Sequence, residues 1–269
     1  MQGTLAVSSD SNLFYTIDDF TDPWRHAEVV VMVHGLAESG EAWRAWVPHL
    51  ARHYRVVRLD QRGFGRSTPM ALDFPWTLDV LAGDLARLIE DVAHGPVHVV
   101  GAKIGATVSA RLAATYPALV KTLTLIGMPV VGPKRRIGCD PEQHGVLEWA
   151  RSTQKDRLGK DSPPEMLEYW SQLMKGTPLS TLVGFGRAVG SFDVRGDLPH
   201  IASPVLLLTS DSALHPLSES DSWRSTLRDV QLVAIPGDGF HAAAVNPDLC
   251  ARTVIDFIKR KSVSAAHDS

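Results

Sequence analysis

The chain has 269 residues, of which 44% are hydrophobic and 21% are charged, so it can bury a large core within a single domain. Its 27 basic and 30 acidic residues are scattered and sum to a formal charge of -3, which excludes the strongly basic profile of a nucleic-acid or membrane-surface binder. Two cysteines make neither a disulfide framework nor a metal site, and no apolar run is long enough to cross a bilayer. We therefore expect a cytoplasmic protein, and the sequence leaves a homodimer open.

Strands and helices alternate along the first half of the sequence. The predicted elements are strands at 29–33, 54–59, 97–100 and 123–126, and helices at about 42–52, at 78–93 and from residue 104. A strand, a helix and a second strand in succession predict right-handed crossovers between parallel strands. The fold class is therefore α/β, with a mainly parallel sheet flanked by helices.

The alternation of strands and helices stops between residues 132 and 197, where the sequence has no strand-like runs. Helical segments around 147–149, 166–173 and 182–189 are separated there by glycine and proline. Strands at 204–208 and 230–235 and a helix at 249–258 then resume the earlier pattern. The sequence thus predicts a core of residues 1–131 and 198–269 with a helical cap, residues 132–197, inserted into it.

A turn flanked by two glycines joins the predicted strand at 97–100 to the helix that follows. Its sequence is Gly101-Ala102-Lys103-Ile104-Gly105. The pattern Gly-x-nucleophile-x-Gly between a strand and a helix is the nucleophile elbow of α/β-hydrolases, in which the central residue occupies a strained turn. Lysine stands here where serine is usual.

Four motifs together resemble the α/β-hydrolase superfamily. They are His34-Gly35 after the first buried strand, the sequence Asp-Gln-Arg-Gly-Phe-Gly-Arg-Ser at 60–67, the turn at 101–105, and Pro-Gly-Asp-Gly-Phe-His at 236–241 followed by Asn246-Pro247. The capped layout is most similar to bacterial enol-lactonases of the 3-oxoadipate type. The likeness spans roughly residues 12–260 and implies the α/β-hydrolase fold with an inserted helical cap.

The resemblance also implies positions for the catalytic groups. The backbone N–H groups of Leu36 and Ile104 would form an oxyanion hole, and His241 would be the base, since histidine exchanges a proton near neutral pH. The family's carboxylate follows the strand at 204–208. Counted back from Pro216 it falls on Ser212, whereas a loop shorter by one residue would let Asp211 serve.

The cap is expected to select the substrate, which the resemblance implies is a small molecule. His34, Trp149 and Trp170 are the predicted substrate-binding residues, the two tryptophans as walls of an apolar pocket. Three arginines of the cap, Arg136, Arg151 and Arg187, are candidates to hold a substrate carboxylate, although each alone is typical of a solvated surface charge.

Lys103 excludes the usual acyl-serine cycle, because an amine that attacked an ester would form a far more stable amide. Our first hypothesis is a hydrolase of a small lactone, enol ester or carbonyl compound in which Lys103, His241 and Asp211 form the catalytic set. A second is a cofactor-free C–C lyase or decarboxylase in which Lys103 forms a Schiff base. A third is a non-catalytic ligand-binding or scaffold protein. None of the three calls for a metal or an organic cofactor.

Overall fold

A computed structural model describes residues 1–133, 137–213 and 216–267, with side chains as far as residue 263. The described residues form one eight-stranded sheet in the order β1-β2-β4-β3-β5-β6-β7-β8. The strands are β1 (Gln2–Ser8), β2 (Ser11–Asp18), β3 (Val29–Val33), β4 (Arg55–Asp60), β5 (Val97–Ala102), β6 (Val120–Ile126), β7 (Val205–Thr209) and β8 (Val230–Ala234). The pairs from β4 to β8 are parallel, whereas β2 pairs antiparallel with both β1 and β4. The predicted α/β-hydrolase fold class is confirmed.

Successive side chains of the central strands point to opposite faces of the sheet, and both faces are covered. Val31 and Val33 of β3 belong to the apolar cluster on one face. Val30 and Met32 belong to the cluster on the other face. This two-sided burial explains why the strands appear in the sequence as continuous apolar runs.

Helices follow most strands, as the alternation predicts. They are α1 (Val47–Leu50), α2 (Leu78–Leu88), α3 (Ile104–Thr115), α4 (Pro141–Leu158), α5 (Pro164–Lys175), α6 (Leu179–Ala188), α7 (Leu217–Arg224), α8 (Ala242–Val245) and α9 (Pro247–His267). No helix among the described residues is both long and apolar enough to span a membrane.

Two local predictions differ from the structure. The helix expected at 42–52 is instead a short 3-10 turn, Gly40–Trp43, followed by the single-turn α1. Pro48 lies in the first turn of α1, where a residue without an N–H begins a helix more easily than it continues one. The hairpin of β1 and β2 was not predicted, because β1 is an edge strand that buries no residue fully.

Three helices, α4 to α6, lie between β6 and β7, and we refer to them as the cap. Two of the three predicted helical segments fall inside them, and the third, 182–189, extends one residue past the end of α6. Gly145 interrupts α4 with a left-handed backbone at φ 80°. The cap packs on the loop after β3, where Ala37 shares an apolar cluster with Trp149 and Met174. The cap therefore covers the carboxyl ends of β3 and β5, where ligands bind in open α/β sheets.

Candidate active site

The backbone at Lys103 has the strained geometry that the glycine pattern predicts. Lys103 lies between β5 and α3 with φ 53° and ψ -122°, a region that non-glycine residues rarely adopt. A Cβ on Gly101 would lie 2.6 Å from Oγ of Ser109, and one on Gly105 would overlap the carbonyl oxygen of His34. The two glycines thus let α3 pack tightly against the sheet and present residue 103 at the turn.

The side chain of Lys103 is buried against the loop of residues 34–39, which we call the 34–39 loop. Only 6% of Lys103 is exposed, and its Nζ donates a hydrogen bond to Oε1 of Glu38 in an ion pair. The other carboxylate oxygen of Glu38 accepts the N–H of Gly35 at 3.0 Å. A Cβ on Gly35 would lie 2.5 Å from Cε of Lys103, so a larger residue there would require the lysine side chain to move.

His241 lies on the opposite side of the Glu38 carboxylate. Its Nε2 is 3.1 Å from Oε1 of Glu38, although the approach does not have the direction of a formed hydrogen bond. Its Nδ1 has no hydrogen-bond partner within the described part of the chain, and only 3% of the residue is exposed. The ring of Trp170 contacts the imidazole edge to face at 4.9 Å between centroids. Lys103, Glu38 and His241 therefore form one buried cluster with the carboxylate in the middle.

The structure does not bring Asp211 to this cluster. Asp211 is exposed, and its Oδ1 accepts the N–H of Leu217 at 2.9 Å, which caps the start of α7. Ser212 is buried in the same loop, but within the described residues Nδ1 of His241 has no hydrogen-bond partner. The carboxylate of the cluster comes instead from Glu38, a residue that the sequence analysis did not identify.

The backbone N–H groups of Leu36 and Ile104 are the predicted oxyanion donors. Among the described residues, no acceptor receives the N–H of Leu36 or of Ile104. The Ile104 N–H lies at the start of α3, where unpaired donors and the helix dipole favour negative charge. Ala37 has φ 61°, so the 34–39 loop is itself held in a strained conformation.

His34 supports this loop. Its Nε2 accepts the N–H of Gln61 at 3.0 Å, and its Nδ1 lies 2.7 Å from the carbonyl oxygen of Gly35, where it donates. The Gln61 side chain donates in turn to the carbonyl of His34 at 2.6 Å. Both ring nitrogens are thus engaged by protein atoms, which ties the 34–39 loop to the motif at residues 60–67.

Burial and the Glu38 carboxylate set the protonation states of the cluster. Burial lowers the pKa of Lys103 to about 8, against the raising effect of Glu38. Burial and the Lys103 ammonium lower the pKa of His241 to about 4. Burial alone would raise the pKa of Glu38, but Lys103 and His241 hold it well below its usual range. Near pH 7 the cluster therefore contains a carboxylate, a neutral imidazole and a lysine close to its titration point.

A second buried cation, Arg157 of α4, faces the cluster from the cap. Only 4% of it is exposed, its Nε donates to Oγ1 of Thr153 at 2.9 Å, and its guanidinium lies over the rings of Trp149 and Phe240 at 5.5 and 5.7 Å. Its backbone carbonyl accepts the N–H of His241 at 2.8 Å. The end of α4 is therefore attached directly to the loop that carries His241.

The cap arginines suggested by the sequence are placed differently. Arg151 pairs with Glu168 at 2.8 Å and Arg187 with Glu142 at 3.4 Å, both on the exposed surface. Arg136 lies outside the described residues. The arginine that faces the cluster is Arg157, which the sequence analysis passed over. A signal existed in the sequence, because Arg157 follows Trp149 and Thr153 at intervals of four residues. Residues at this spacing lie on the same face of a helix, so the spacing indicates that Arg157 lies on the face of Trp149.

Both predicted tryptophans are buried where the cap meets the core. Trp149 packs with Ala37 of the 34–39 loop and donates from Nε1 to the carbonyl of Ile137 at 3.2 Å. Trp170 contacts His241. The structure thus brings Trp149, Trp170, Lys103 and His241 to one region.

Comparisons with known proteins agree with this architecture. A family model described as the alpha/beta hydrolase fold matches residues 28–137. The "Putative carbamate hydrolase RutD" of Yersinia enterocolitica is 29% identical over 231 residues, covering 81% of this chain and 82% of that protein. Its counterpart from Variovorax paradoxus is 25% identical over 256 residues, covering 87% and 93%.

Solved structures show the same fold. An enol-lactonase from Burkholderia xenovorans superposes with a TM-score of 0.82 at 22% identity, covering 94% of this chain and 99% of that one. A hydrolase from Pseudomonas aeruginosa gives 0.81 at 22% identity, covering 96% and 98%. Together with the family model and the sheet order, these findings show that the chain has the α/β-hydrolase fold.

Proposed function

We propose that the protein is a hydrolase of small lactones, enol esters or related carbonyl compounds that works without an acyl-serine intermediate. The observation that carries the proposal is the buried contact of Lys103 with Glu38, beside His241 and two backbone N–H groups that have no acceptor in the described part of the chain. Lys103 is the acid–base group, and the N–H groups of Leu36 and Ile104 form the oxyanion hole.

The pKa values favour Lys103 over His241 as the base. A catalytic acid–base group works best when its pKa is close to the operating pH. The pKa of Lys103 is about 8, whereas that of His241 is about 4, so the imidazole is a weak base here. This assignment differs from the family pattern, in which the histidine takes the proton.

In the proposed reaction, the neutral amine of Lys103 takes a proton from water as the water oxygen bonds to the substrate carbonyl carbon. The carbonyl electron pair moves to its oxygen, which the N–H groups of Leu36 and Ile104 bind. The carbon–oxygen bond to the leaving group then breaks, and the Lys103 ammonium returns the proton to the departing oxygen. One ester and one water give one acid and one alcohol or enol.

Each remaining group has a separate task in this scheme. The ammonium formed on Lys103 is a positive charge close to the developing oxyanion, in a site from which most water is excluded. Glu38 stabilises that ammonium and keeps the pKa of Lys103 from falling further. His241 is neutral, and its Nδ1, which has no hydrogen-bond partner among the described residues, is available to hydrogen-bond the attacking water.

The relatives support hydrolysis as the reaction type. The sequence relatives described above are named carbamate hydrolases, and one structural neighbour is an enol-lactonase. Carbamates and enol lactones both react at an acyl carbon. The substrate class proposed for this chain is of the same chemical kind.

The pH dependence of turnover tests the assignment. With a panel of small lactones and enol esters, kcat/KM should rise through a pH of about 8, because the active form is the neutral amine of Lys103. A rise centred between pH 4 and 6.5 would instead assign the base to His241. Absence of turnover across the panel would count against a hydrolase.

A substitution and its control distinguish proton transfer by Lys103 from a purely electrostatic effect of its charge. Lys103→Arg keeps the cation but cannot accept a proton near neutral pH, so turnover should fall by roughly 100-fold or more. Lys155→Met, a change at an exposed lysine of α4, is the matched control and should leave kcat/KM unchanged. Full activity in Lys103→Arg would mean that Lys103 acts only through its charge.

The lowered pKa of Lys103 also favours a second candidate, C–C cleavage through a Schiff base. The neutral amine would add to a ketone, take up a proton and lose water to form an iminium, which accepts the electron pair of the breaking C–C bond as the other fragment leaves as carbon dioxide or an aldehyde. Protonation of the resulting enamine at carbon and addition of water to the iminium would release the product ketone and return the amine. Borohydride reduction with candidate keto acids, followed by peptide mass analysis, tests it: a reduced adduct on Lys103 supports the lyase and its absence supports hydrolysis.

A further inference from the structure

The strand β1 forms one edge of the sheet, and no strand among the described residues pairs with its outer side. Met1 and Ile17 exchange two backbone hydrogen bonds of 2.7 Å, so they are a hydrogen-bonded pair of the ladder between β1 and β2. Such pairs alternate with non-bonded pairs along an antiparallel ladder. The N–H and C=O groups of Gln2, Thr4 and Ala6 therefore point away from β2, towards the free edge.

The edge formed by β1 lacks the features that usually prevent a free edge from pairing with another chain, which are charged side chains, proline or a covering element. Residues 1–9 include no charged side chain and no proline. The opposite edge, β8, is different. Lys261 pairs with Asp229 directly before β8 at 2.6 Å, and Arg260 donates to Oε1 of Gln231 within it at 3.1 Å. Of the two edges, β1 is therefore the one suited to pairing.

We propose that β1 pairs antiparallel with β1 of a second copy of this chain, which joins the two sheets across a two-fold axis. The outward-pointing backbone groups of the two strands must face each other in such a pair. The register that pairs most of them places Thr4 opposite Thr4 of the second copy, and Gln2 opposite Ala6. It forms about six backbone hydrogen bonds. The two threonine side chains then form a cross-strand pair, which stabilises a sheet.

Opposite charges at the two ends of β1 favour this orientation and a second copy as the partner. At the beginning of β1, Nη1 of the exposed Arg66 donates to Oε1 of Gln2 at 3.4 Å, and its guanidinium lies 3.6 Å from the centroid of the Phe14 ring. After the end of β1, the exposed Asp10 accepts the hydroxyl of Ser8 at 2.8 Å. Antiparallel pairing brings the Arg66 end of each copy to the Asp10 end of the other, whereas parallel pairing would bring like charges together.

Sedimentation velocity between about 1 and about 100 μM tests the interface, and the wild-type protein should change from monomer to dimer over this range. Thr4→Lys and Thr4→Glu should each be monomeric at every concentration, because like charges would face each other across the axis. An equimolar mixture of the two variants should form a dimer, since residue 4 of one copy faces residue 4 of the other. Thr4→Val keeps the outward N–H and a β-branched side chain, so this control should dimerise like the wild type.

Three outcomes would overturn the inference. A wild-type protein that stays monomeric at every concentration would exclude the dimer, and this measurement does not depend on the folding of any variant. Dimers of unchanged strength in Thr4→Lys and Thr4→Glu would place the interface elsewhere on the surface. A mixture that stays monomeric, with both variants folded by thermal unfolding, would exclude the register that places Thr4 opposite itself. None of these measurements uses turnover, so their result is independent of the proposed hydrolase activity.

Discussion

The elbow and the histidine loop each match only part of the α/β-hydrolase pattern, and they match different parts of it. At the elbow the backbone is conventional, with a strained residue 103 between close-packed glycines, while the side chain is a lysine. At the histidine loop the side chain is the expected His241, but no carboxylate among the described residues contacts its Nδ1 to orient and charge it. The elbow thus has the backbone typical of the fold with a different chemical group. The histidine loop has the expected imidazole without a carboxylate at its Nδ1 among the described residues.

Glu38 connects these two changes. In a serine triad the carboxylate lies behind the histidine, whereas here it lies between His241 and the residue at the elbow. A carboxylate in that position stabilises an ammonium on Lys103 more directly than it stabilises a positive charge on His241. In the proposed mechanism, the position of the negative charge therefore favours Lys103 over His241 as the acid–base group.

Removing Glu38 should have the largest effect on this arrangement. Glu38→Ala leaves Lys103 and Arg157 buried without a carboxylate, and loss of one partner of a buried pair costs roughly 3–5 kcal/mol of unfolding free energy. Urea denaturation at pH 7 measures it. The double variant Glu38→Leu with Lys103→Met should recover most of the loss, because it removes both charges.

Glu41→Ala is the matched control for that experiment. Glu41 lies three residues further along and pairs with Arg58 at 3.0 Å, but its side chain is 46% exposed. Its removal should cost about 1 kcal/mol or less. Equal losses in the two variants would mean that the buried pair contributes no more than a surface pair.

The pH dependence of stability should reveal the buried neutral histidine. The folded-state pKa of His241, about 4, is below its ordinary 6.5, so the unfolded chain takes up the proton first as the pH falls. Stability is therefore present above pH 6.5 and decreases towards pH 4, by roughly 3 kcal/mol for this group.

Unfolding of His241→Phe across the same pH range isolates that contribution. The variant should lose stability less steeply between pH 6.5 and 4 than the wild-type protein. His26→Gln, at an exposed histidine, should keep the wild-type slope. A parallel course for wild type and His241→Phe would mean that His241 titrates alike in the folded and unfolded states.

Replacing a close-packed glycine at the elbow should have a smaller effect on the free energy of unfolding. Gly105→Ala places a Cβ against the backbone carbonyls of Val33 and His34, and should destabilise the protein by roughly 1–3 kcal/mol. Gly83→Ala in α2 meets open space and should stabilise it by roughly 0.5–1 kcal/mol, since alanine favours a helix. Thermal unfolding compares the two, and similar changes would remove the case for a close-packed elbow.

The fold and the elbow were predictable because they depend on local patterns. Apolar runs between turn residues identify β3 to β8, and two glycines four residues apart identify the turn at Lys103. His241 was predictable for the same reason, since it follows a strand and a glycine-rich loop. Each of these signals is contained in a short window of sequence.

Glu38 and Arg157 were not predictable in this way, because their roles arise from tertiary contacts. Glu38 is 65 residues from Lys103 in sequence and looks like an ordinary loop acid. A useful signal existed nevertheless, because a lysine predicted to be buried requires a nearby carboxylate, and Glu38 follows the predicted oxyanion loop. Asp211 was predicted as the acid from its place after β7. A turn aspartate can equally well accept a backbone N–H at the start of a helix, as Asp211 does for α7.

The smallest predicted effect is a change in the pKa of Lys103 when Arg157 is replaced. Burial is the main cause of the lowered value of about 8, and the positive charge of Arg157 adds to it. Arg157→Met should therefore raise the pKa of Lys103 part of the way towards 10.5, as read from the Cε shift of ¹³C-labelled lysine. Arg151→Met should leave it unchanged, because that arginine is exposed and paired with Glu168. Because the neutral amine is the proposed base, the pH at which kcat/KM rises should move upward with the pKa of Lys103 in Arg157→Met. A shift in the pKa without a shift in the pH profile, or the reverse, would mean that Lys103 is not the base on which the rate depends.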